Sequence, residues 1–421
     1  MAPRYKELGV SSDYDASWGL RQDEFVVQLR GRQGVKKYRE MSENDAVIGA
    51  ILHSMTMMLR SIEWRVEGDS EDANAFVRSV MDRMDDKSFE EFVSDVLTML
   101  PYGFSLFEMV PRRDADGLIR MKKLAGRAQW TIDRFETNAT GDVQGVWQVA
   151  AQKNVFIPYS RLLHFRTTSI SSEPSGRSVL RSGYTSWRAA NNIRYFEGVG
   201  IERELNGLPV VRIPSEYMSS DATDGQKALF NQMKTIARDV KRNEQGYIIL
   251  PSDRYADEDG KQTNNLMVEF DLIASKGTRD IDTGAVILRY EQAIARSVMA
   301  DFVMLGANDR GSFALSKSKA ELFLKALEGY ADTIAAQLNR KLLPYLWELN
   351  GMDPDTMPKI ARGRVAPVDI DELGQYIQRL SMSGVDFFPD DTTENHLRDV
   401  AGLPAIDPNR QRPTPPVDDN A

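Results

Sequence analysis

The chain contains no cysteine and only three histidines in 421 residues. The first absence excludes disulfides, thiolate nucleophiles and cysteine-ligated zinc or iron–sulfur centres, and it suits a reducing compartment. The histidines, His53, His164 and His396, lie far apart and none stands in an H-E-x-x-H arrangement. They read as structural or surface residues, not as metal ligands or catalytic bases. Long apolar runs are also missing. The longest, AVIGAILHSMTMML at 46–59, is too short to span a bilayer and contains His53. The first twenty residues are polar and mixed, unlike a secretory signal. Basic residues are outnumbered, 53 against 62 acidic, for a net charge of −9. Such a chain is not built to coat DNA over its whole surface, although a local basic patch is compatible with it. Together these features describe a soluble cytoplasmic protein. Its 42% hydrophobic content and six tryptophans supply the core of two or three domains.

Motifs for chemistry are absent as well. MLGANDRGSFALSKSKAELF, residues 304–323, carries Gly306 and Gly311 at the glycine spacing of a phosphate-binding loop, but SFALSKSK follows in place of Lys-Ser/Thr. YGFSLF at 102–107 lacks the second glycine of a nucleophile elbow. ADEDGKQTNN at 256–265 gathers Asp257, Glu258 and Asp259 without the alternating ligands or distal glutamate of a calcium loop, and reads as a solvated acidic loop. No carboxylate pair is singled out as catalytic. The expectation is a protein that is not an enzyme and binds no metal or cofactor.

What is present is an ordered series of elements. The first forty residues read as a polar arm. SEND then opens a helix, with Ser42 and Asp45 in the form of a capping box, and Val47, Ile51, Met55, Met58 and Ile62 recur at helical spacing as a core stripe. IEWRVEG is a strand, residues 72–100 hold two helical segments, YGFSLFEMVPRR is a strand, and DADG at 114–117 is a hairpin turn. Short strands continue to about 165, making a mixed α+β domain. From 176 a long helix is expected, with Trp187, Ala190, Ile193, Phe196, Ile201 and Leu205 as its stripe; Gly198 and Gly200 suggest close approach by a neighbouring helix. Residues 207–275 form a small α/β insert, with strands at LPVVRIP, QGYIILPSD and LMVEFDL and a charged helix at 224–243. A second long helix spans Thr283 to Phe302, capped by Asp282. A third runs from Ser316 to Leu349 and is kinked by Pro344; Phe323, Leu327, Tyr330, Ile334, Leu338 and Leu342 share its apolar face. Helices at 369–382 and 391–401 precede a proline-rich tail that reads as disordered.

This order, a mixed domain followed by a helix, an α/β insert, a helix, a short polar loop and a very long helix, resembles the portal proteins of tailed bacteriophages. Two stretches are similar to Mu-like phage portals in particular. One is YGFSLFEMV; the other is LLHFRTTSISSEPSGRSVLRSGYTSWRAANNIRYFEGVG, with its HFR strand, Gly-x-Ser-x-Leu turn and amphipathic helix. The resemblance covers about residues 40–403. It implies an α+β portal fold divided into an arm (1–40), a wing domain (41–183), a first stem helix (184–206), a clip (207–277), a second stem helix (278–303), a tunnel loop (304–316), a spine helix with a return to the wing (317–366), a small helical crown (367–403) and a tail (404–421).

The family resemblance implies a dodecameric ring at one capsid vertex of the virion, assembled in the host cytoplasm, through which the genome is packaged and ejected. A separate terminase supplies the ATPase, in keeping with the missing phosphate-binding loop. Implied partners are the terminase large subunit, neck or adaptor proteins, the major capsid protein and double-stranded DNA, contacted weakly and without sequence preference; no membrane is involved. Gly306, Asn308, Asp309, Arg310, Gly311, Ser312, Lys317 and Lys319 are the expected DNA-facing tunnel loop, with a net charge of +2 between Met304 and Ala320. Lys234, Arg238, Lys241 and Arg242 mark the clip surface, as a solvated face or subunit contact. Two other readings remain: another head–tail connector or neck ring protein, a class usually much shorter, and a divergent carboxylate-dependent hydrolase.

Overall fold

The computed structural model describes residues 24–84, 87–150, 153–168, 173–206, 208–241, 253–257, 259–273, 282–302, 313–365, 370–383, 391–400 and 406. It divides into two compact units, one of residues 1–181 with 298–421 and one of residues 182–297.

The first unit opens with α1 (Gly31–Asn44) and α2 (Ala46–Arg60). Val35, Tyr38 and Met41 of α1 are buried, so residues 31–40 belong to the folded unit and not to an arm. The cap of α2 also differs from the expectation. Asp45 alone accepts from the Val47 and Ile48 amides, at 3.1 Å each, while the Ser42 hydroxyl donates back to the Arg39 carbonyl inside α1. The helical frame starts three residues later than a Ser42 cap would set it. Its buried stripe is Ile48, Ile51, Met55 and Leu59, with Val47 and Met58 half-buried.

β1 (Trp64–Glu67) and three helices follow: α3 (Glu71–Asp82), α4 (Phe89–Val96) and the short α5 (Met99–Tyr102). Ser88 and Glu91 close a true capping box on α4. β2 (Phe104–Arg113) and β3 (Ile119–Arg127) form a hairpin around the DADG turn, whose Gly117 and Leu118 bond back to Asp114. β4 (Ile132–Thr137), β5 (Val143–Val149) and β6 (Asn154–Pro158) make a separate three-stranded antiparallel sheet. β7 (Leu162–Arg166) completes the first sheet in the order β3-β2-β7. Phe92 of α4 sits at van der Waals range of Phe107 and Phe165, with ring centroids 5.0 and 6.1 Å away, and all three are fully buried. This aromatic triad is the centre of the core.

The second unit holds α6 (Tyr184–Asn206), β8 (Leu208–Arg212), α7 (Asp224–Lys241), β9 (Arg254–Ala256), β10 (Gln262–Leu266), β11 (Glu269–Ile273) and α8 (Thr283–Ser297). β8 and β11 pair antiparallel, and Met233 and Ile236 of α7 pack with Val268 against them. The acidic stretch is not all loop: β9 and β10 pair across it, and Asp257 accepts from the Lys261 amide at 2.7 Å to tighten the turn. The expected QGYIILPSD strand lies almost wholly outside the described residues. Asp282 accepts from the Ala285 amide as the cap of α8. The helix ends at Ser297, five residues short of the expectation; Met299 beyond it has φ 60°, a left-handed backbone that an α-helix cannot continue through. On α6, Trp187 and Ala190 are buried as expected, but Phe196 and Ile201 are exposed, and no atom lies within 4 Å of where a side chain on Gly198 would begin.

The chain returns to the first unit with α9 (Phe313–Gln337), starting three residues earlier than expected, and α10 (Leu343–Asn350). Between them Leu338–Leu342 is a π-helical turn, so the irregularity precedes Pro344, which sits harmlessly in the first turn of α10. Phe323, Leu327, Ala331, Ile334, Leu338 and Leu342 bury one face. β12 (Lys359–Arg362) then pairs antiparallel with β1, from Trp64 opposite Arg362 to Glu67 opposite Lys359. The Asn339 side chain, on the π turn, bonds both the carbonyl and the amide of Ile360 at 2.8 Å, tying this helix to that sheet. α11 (Ile370–Met382) and α12 (Asp391–Val400) follow. The tail falls outside the described residues except Ile406, whose amide donates to Asn395.

Candidate functional site

The two motif stretches, about sixty residues apart in sequence, are hydrogen-bonded neighbours. β2 carries GFSLFE and β7 carries LLHFR, paired from Phe104 opposite Arg166 to Glu108 opposite Leu162. Two polar residues of the first motif have internal partners. Ser105, fully buried, donates to the Val96 carbonyl at 2.8 Å; Glu108 pairs with Arg127 of β3. The SGRS turn closes over the start of β2. The Thr167 hydroxyl donates to the Arg177 carbonyl at 2.6 Å and accepts from the Arg177 amide at 3.0 Å, while the Thr167 amide donates to the Gly103 carbonyl at 2.9 Å. Gly103 and Gly176 cross so closely that a methyl group on Gly176 would fall 2.1 Å from the Gly103 oxygen. A cavity of about 510 Å³ borders this crossing and is lined by Tyr38, Phe104, Gly176 and Arg181 among others. Arg181 grips Glu24 with two bonds of 2.5 and 2.6 Å at its wall.

The titratable groups that burial perturbs are structural. His164 on β7 is fully buried among Phe104, Phe135 and Tyr159; burial, helped by the charge of Arg166, lowers its pKa to about 3. Lys341, on the π turn, places its ammonium 3.5 Å from the Tyr159 ring centre and donates to the Tyr159 carbonyl at 2.7 Å; burial lowers its pKa to about 8. Among the described residues no group of three or more His, Asp or Glu is placed to hold a metal ion, and no helix is long and apolar enough to cross a membrane.

The predicted tunnel-loop residues Gly306, Asn308, Asp309, Arg310, Gly311 and Ser312 lie outside the described residues. The described residues flanking them are held together. Asp301 accepts from Lys319 at 2.6 Å, and Phe302 packs edge-on against Phe323 at 5.3 Å. Lys319 is thus an anchor at the base of the stretch. Counting Asp301 with Asp309 against Arg310, Lys317 and Lys319 reduces the net charge of residues 301–320 to +1. Lys317 falls within α9. On the expected clip surface, Lys234 is exposed on α7, Arg238 and Lys241 belong to the same helix, and Arg242 lies outside the described residues.

In the second unit α6 and α8 run antiparallel, cross-linked by the Arg194–Glu291 ion pair and by the Thr283 hydroxyl donating to Glu197. The helix pair encloses the small insert, and the long α9 follows later in the chain. The family model described as the portal protein of Mu bacteriophage matches residues 35–403. The chain belongs to this portal family.

Solved structures share the fold. A chain from the neck of an empty gene transfer agent particle, computed with C6 symmetry, has a TM-score of 0.54 at 11% identity, over 88% of this chain and 94% of its own. A chain from the neck of the native particle, computed with C12 symmetry, has a TM-score of 0.52 at 11% identity, over 87% and 93%. The HK97-family phage portal protein from Corynebacterium diphtheriae, with a TM-score of 0.41 at 11% identity over 77% and 94%, overlaps too loosely to count with them. At such identities the likeness is one of fold. The family membership carries the function: the chain is a phage portal, a conduit for the genome. The Gly103–Thr167–Gly176 crossing, which sequence reasoning did not identify, explains why the two motif stretches each carry a glycine at that point.

Proposed function

We propose that twelve copies of this portal close into a ring in the virion, and that double-stranded DNA slides through its centre during packaging and ejection. The observation that carries this reading is the portal-family match across residues 35–403, which spans both compact units. The C12 symmetry of the neck whose chain shares the fold supports the ring count. The protein works without bond-breaking chemistry of its own, and a separate motor supplies the energy of packaging.

On this reading residues 31–183, with α1 included, are the wing, residues 317–366 the spine helix and its return to the wing, α6 and α8 the stem, and the insert between them the clip on which terminase and neck proteins dock. Residues 304–312, ahead of α9, are the tunnel loop, with Asp301 and Lys319 paired at its base. Arg310 of the loop and Lys317 near the start of α9 are left as the contacts to phosphate, with Lys319 assigned to anchoring. Contact is sequence-independent and weakens with salt. α11 and α12 form a small crown facing the capsid interior.

The test is electron microscopy of the purified chain together with its mass in solution. Rings of about twelve subunits with a central hole are expected. A chain that stays monomeric with or without the capsid and scaffold proteins would refute the ring. Arg310→Ala with Lys317→Ala tests the loop in assembled heads: normal assembly with slowed packaging is expected, and unchanged packaging would remove the loop from the DNA path.

A further inference from the structure

The second unit carries a surface that its own fold does not use. Tyr195 and Phe196 on α6 are 68% and 69% exposed, with rings 5.6 Å apart. Aromatic residues so bared together are a mark of contact surfaces, and they stand on the side of α6 turned away from α8. The direction follows from the helical period: Arg194 and Glu197, which bond α8, face one way, while the exposed Arg188, Asn192 and Tyr195 recur at i, i+4 and i+7 on another side. The outer side of α8 differs. Positions 285, 289, 292 and 296 form its stripe; they are Ala, Arg, Gln and Arg, with no carboxylate, and Arg289 and Arg296 are exposed. The helix pair therefore has an aromatic flank and a guanidinium flank.

These flanks are complementary in the sense a closed ring requires, because each copy must present two different faces to its two neighbours. They are also level. Arg194 bonds Glu291, so Tyr195 and Phe196 stand at the height of Arg289, two residues from Glu291. We propose that Tyr195 and Phe196 of one copy pack against the Arg289 guanidinium of the next, with the helix pair running along the ring axis. This rests on the ring reading above. Guanidinium stacking on an aromatic face is favourable and strengthens when water is excluded. Two turns along α6, Arg188 stands level with Arg296, and like charges there keep Arg296 out of the contact.

The cysteine-free chain makes the test direct. Phe196→Cys and Arg289→Cys are introduced together into the full chain, and separately as controls, and treated with a short bismaleimide. The double variant is expected to give a ladder of covalent multimers, and the single variants monomer only. In parallel, Tyr195→Ser with Phe196→Ser is expected to lower the ring fraction at least tenfold at concentrations where the wild type is assembled. Arg289→Ala lowers it less, and Arg296→Ala leaves it unchanged. Wild-type rings with no ladder in the double variant would overturn the inference while leaving the ring intact. So would dimers from Phe196→Cys alone, which would indicate a two-fold contact, or serine-variant rings that assemble normally but lose affinity for DNA or another protein. Absence of wild-type rings even with the capsid and scaffold proteins present would instead refute the ring reading itself.

Discussion

Gly176→Ala should destabilise this portal strongly, because Gly176 is buried where two turns cross. Gly176 has φ 58° and Gly103 has φ 92°, both left-handed, and each packs its backbone against the other's segment. A methyl group on Gly176 would sit 2.1 Å from the Gly103 carbonyl oxygen, and one on Gly103 would sit 2.6 Å from the Ser175 oxygen. Neither obstacle is a flexible side chain, so the turn must move. Left-handed backbone costs alanine about 1 kcal/mol. Forcing a methyl group into a filled space adds about 1–3 kcal/mol. Moving the turn also strains the two bonds between Thr167 and Arg177, worth about 1 kcal/mol each. The expected loss is about 3–5 kcal/mol. Gly117→Ala is the control. Its φ is 83°, but nothing lies within 4 Å of the added atom, so the loss should stay near 1 kcal/mol. Urea unfolding, followed by tryptophan fluorescence below the concentration at which rings form, gives the comparison. If Gly176→Ala and Gly117→Ala came within about 1 kcal/mol of each other, the steric argument for the motif glycines would be wrong.

Three further outcomes are expected. His164 binds its proton at about pH 3 when folded and near 6.5 when unfolded, so the unfolded chain holds more protons between those values and stability falls as pH drops through that window. His164→Phe, in a pocket already walled by aromatic rings, should flatten the acid limb by up to about 1.4 kcal/mol per pH unit in equilibrium unfolding; an unchanged slope would contradict the buried neutral imidazole. Lys341 is lowered to about 8 from an unfolded value near 10.4, so its charge opposes folding below pH 8 and stability rises as pH climbs from 8 towards 10. Because the side chain is partly exposed, the gain is about 1 kcal/mol; denaturant titrations at both pH values should show it in the wild type and not in Lys341→Met. Asp45→Ala should cost about 1 kcal/mol by loss of the α2 cap, whereas Ser42→Ala should stay within about 0.5 kcal/mol, and thermal melts that reversed the order would restore Ser42 as the cap.

The sequence by itself determined most element types and their order. Helical stripes such as Phe323, Leu327, Ile334 and Leu338 and the DADG turn follow from the 3.6 period and from turn chemistry, which act over a few residues. That order, with the GFSLFE and LLHFR stretches, was enough to reach the portal family. The tertiary structure decided what touches what. The apolar period placed Phe196 in a stripe, but a period does not say which neighbour arrives to cover it, and α8 packs against another side of α6. The capping box was read with Ser42 as the cap and Asp45 as its partner, but α1 runs on through Asn44 and Asp45 itself caps α2. Lys319 read as a free cation until Asp301, eighteen residues away, came within 2.6 Å of it. Gly103 and Gly176 were ordinary turn residues until β2 and β7 paired and brought their backbones into contact. Each of these depends on groups distant in sequence, and chain-local preferences carry no information about them.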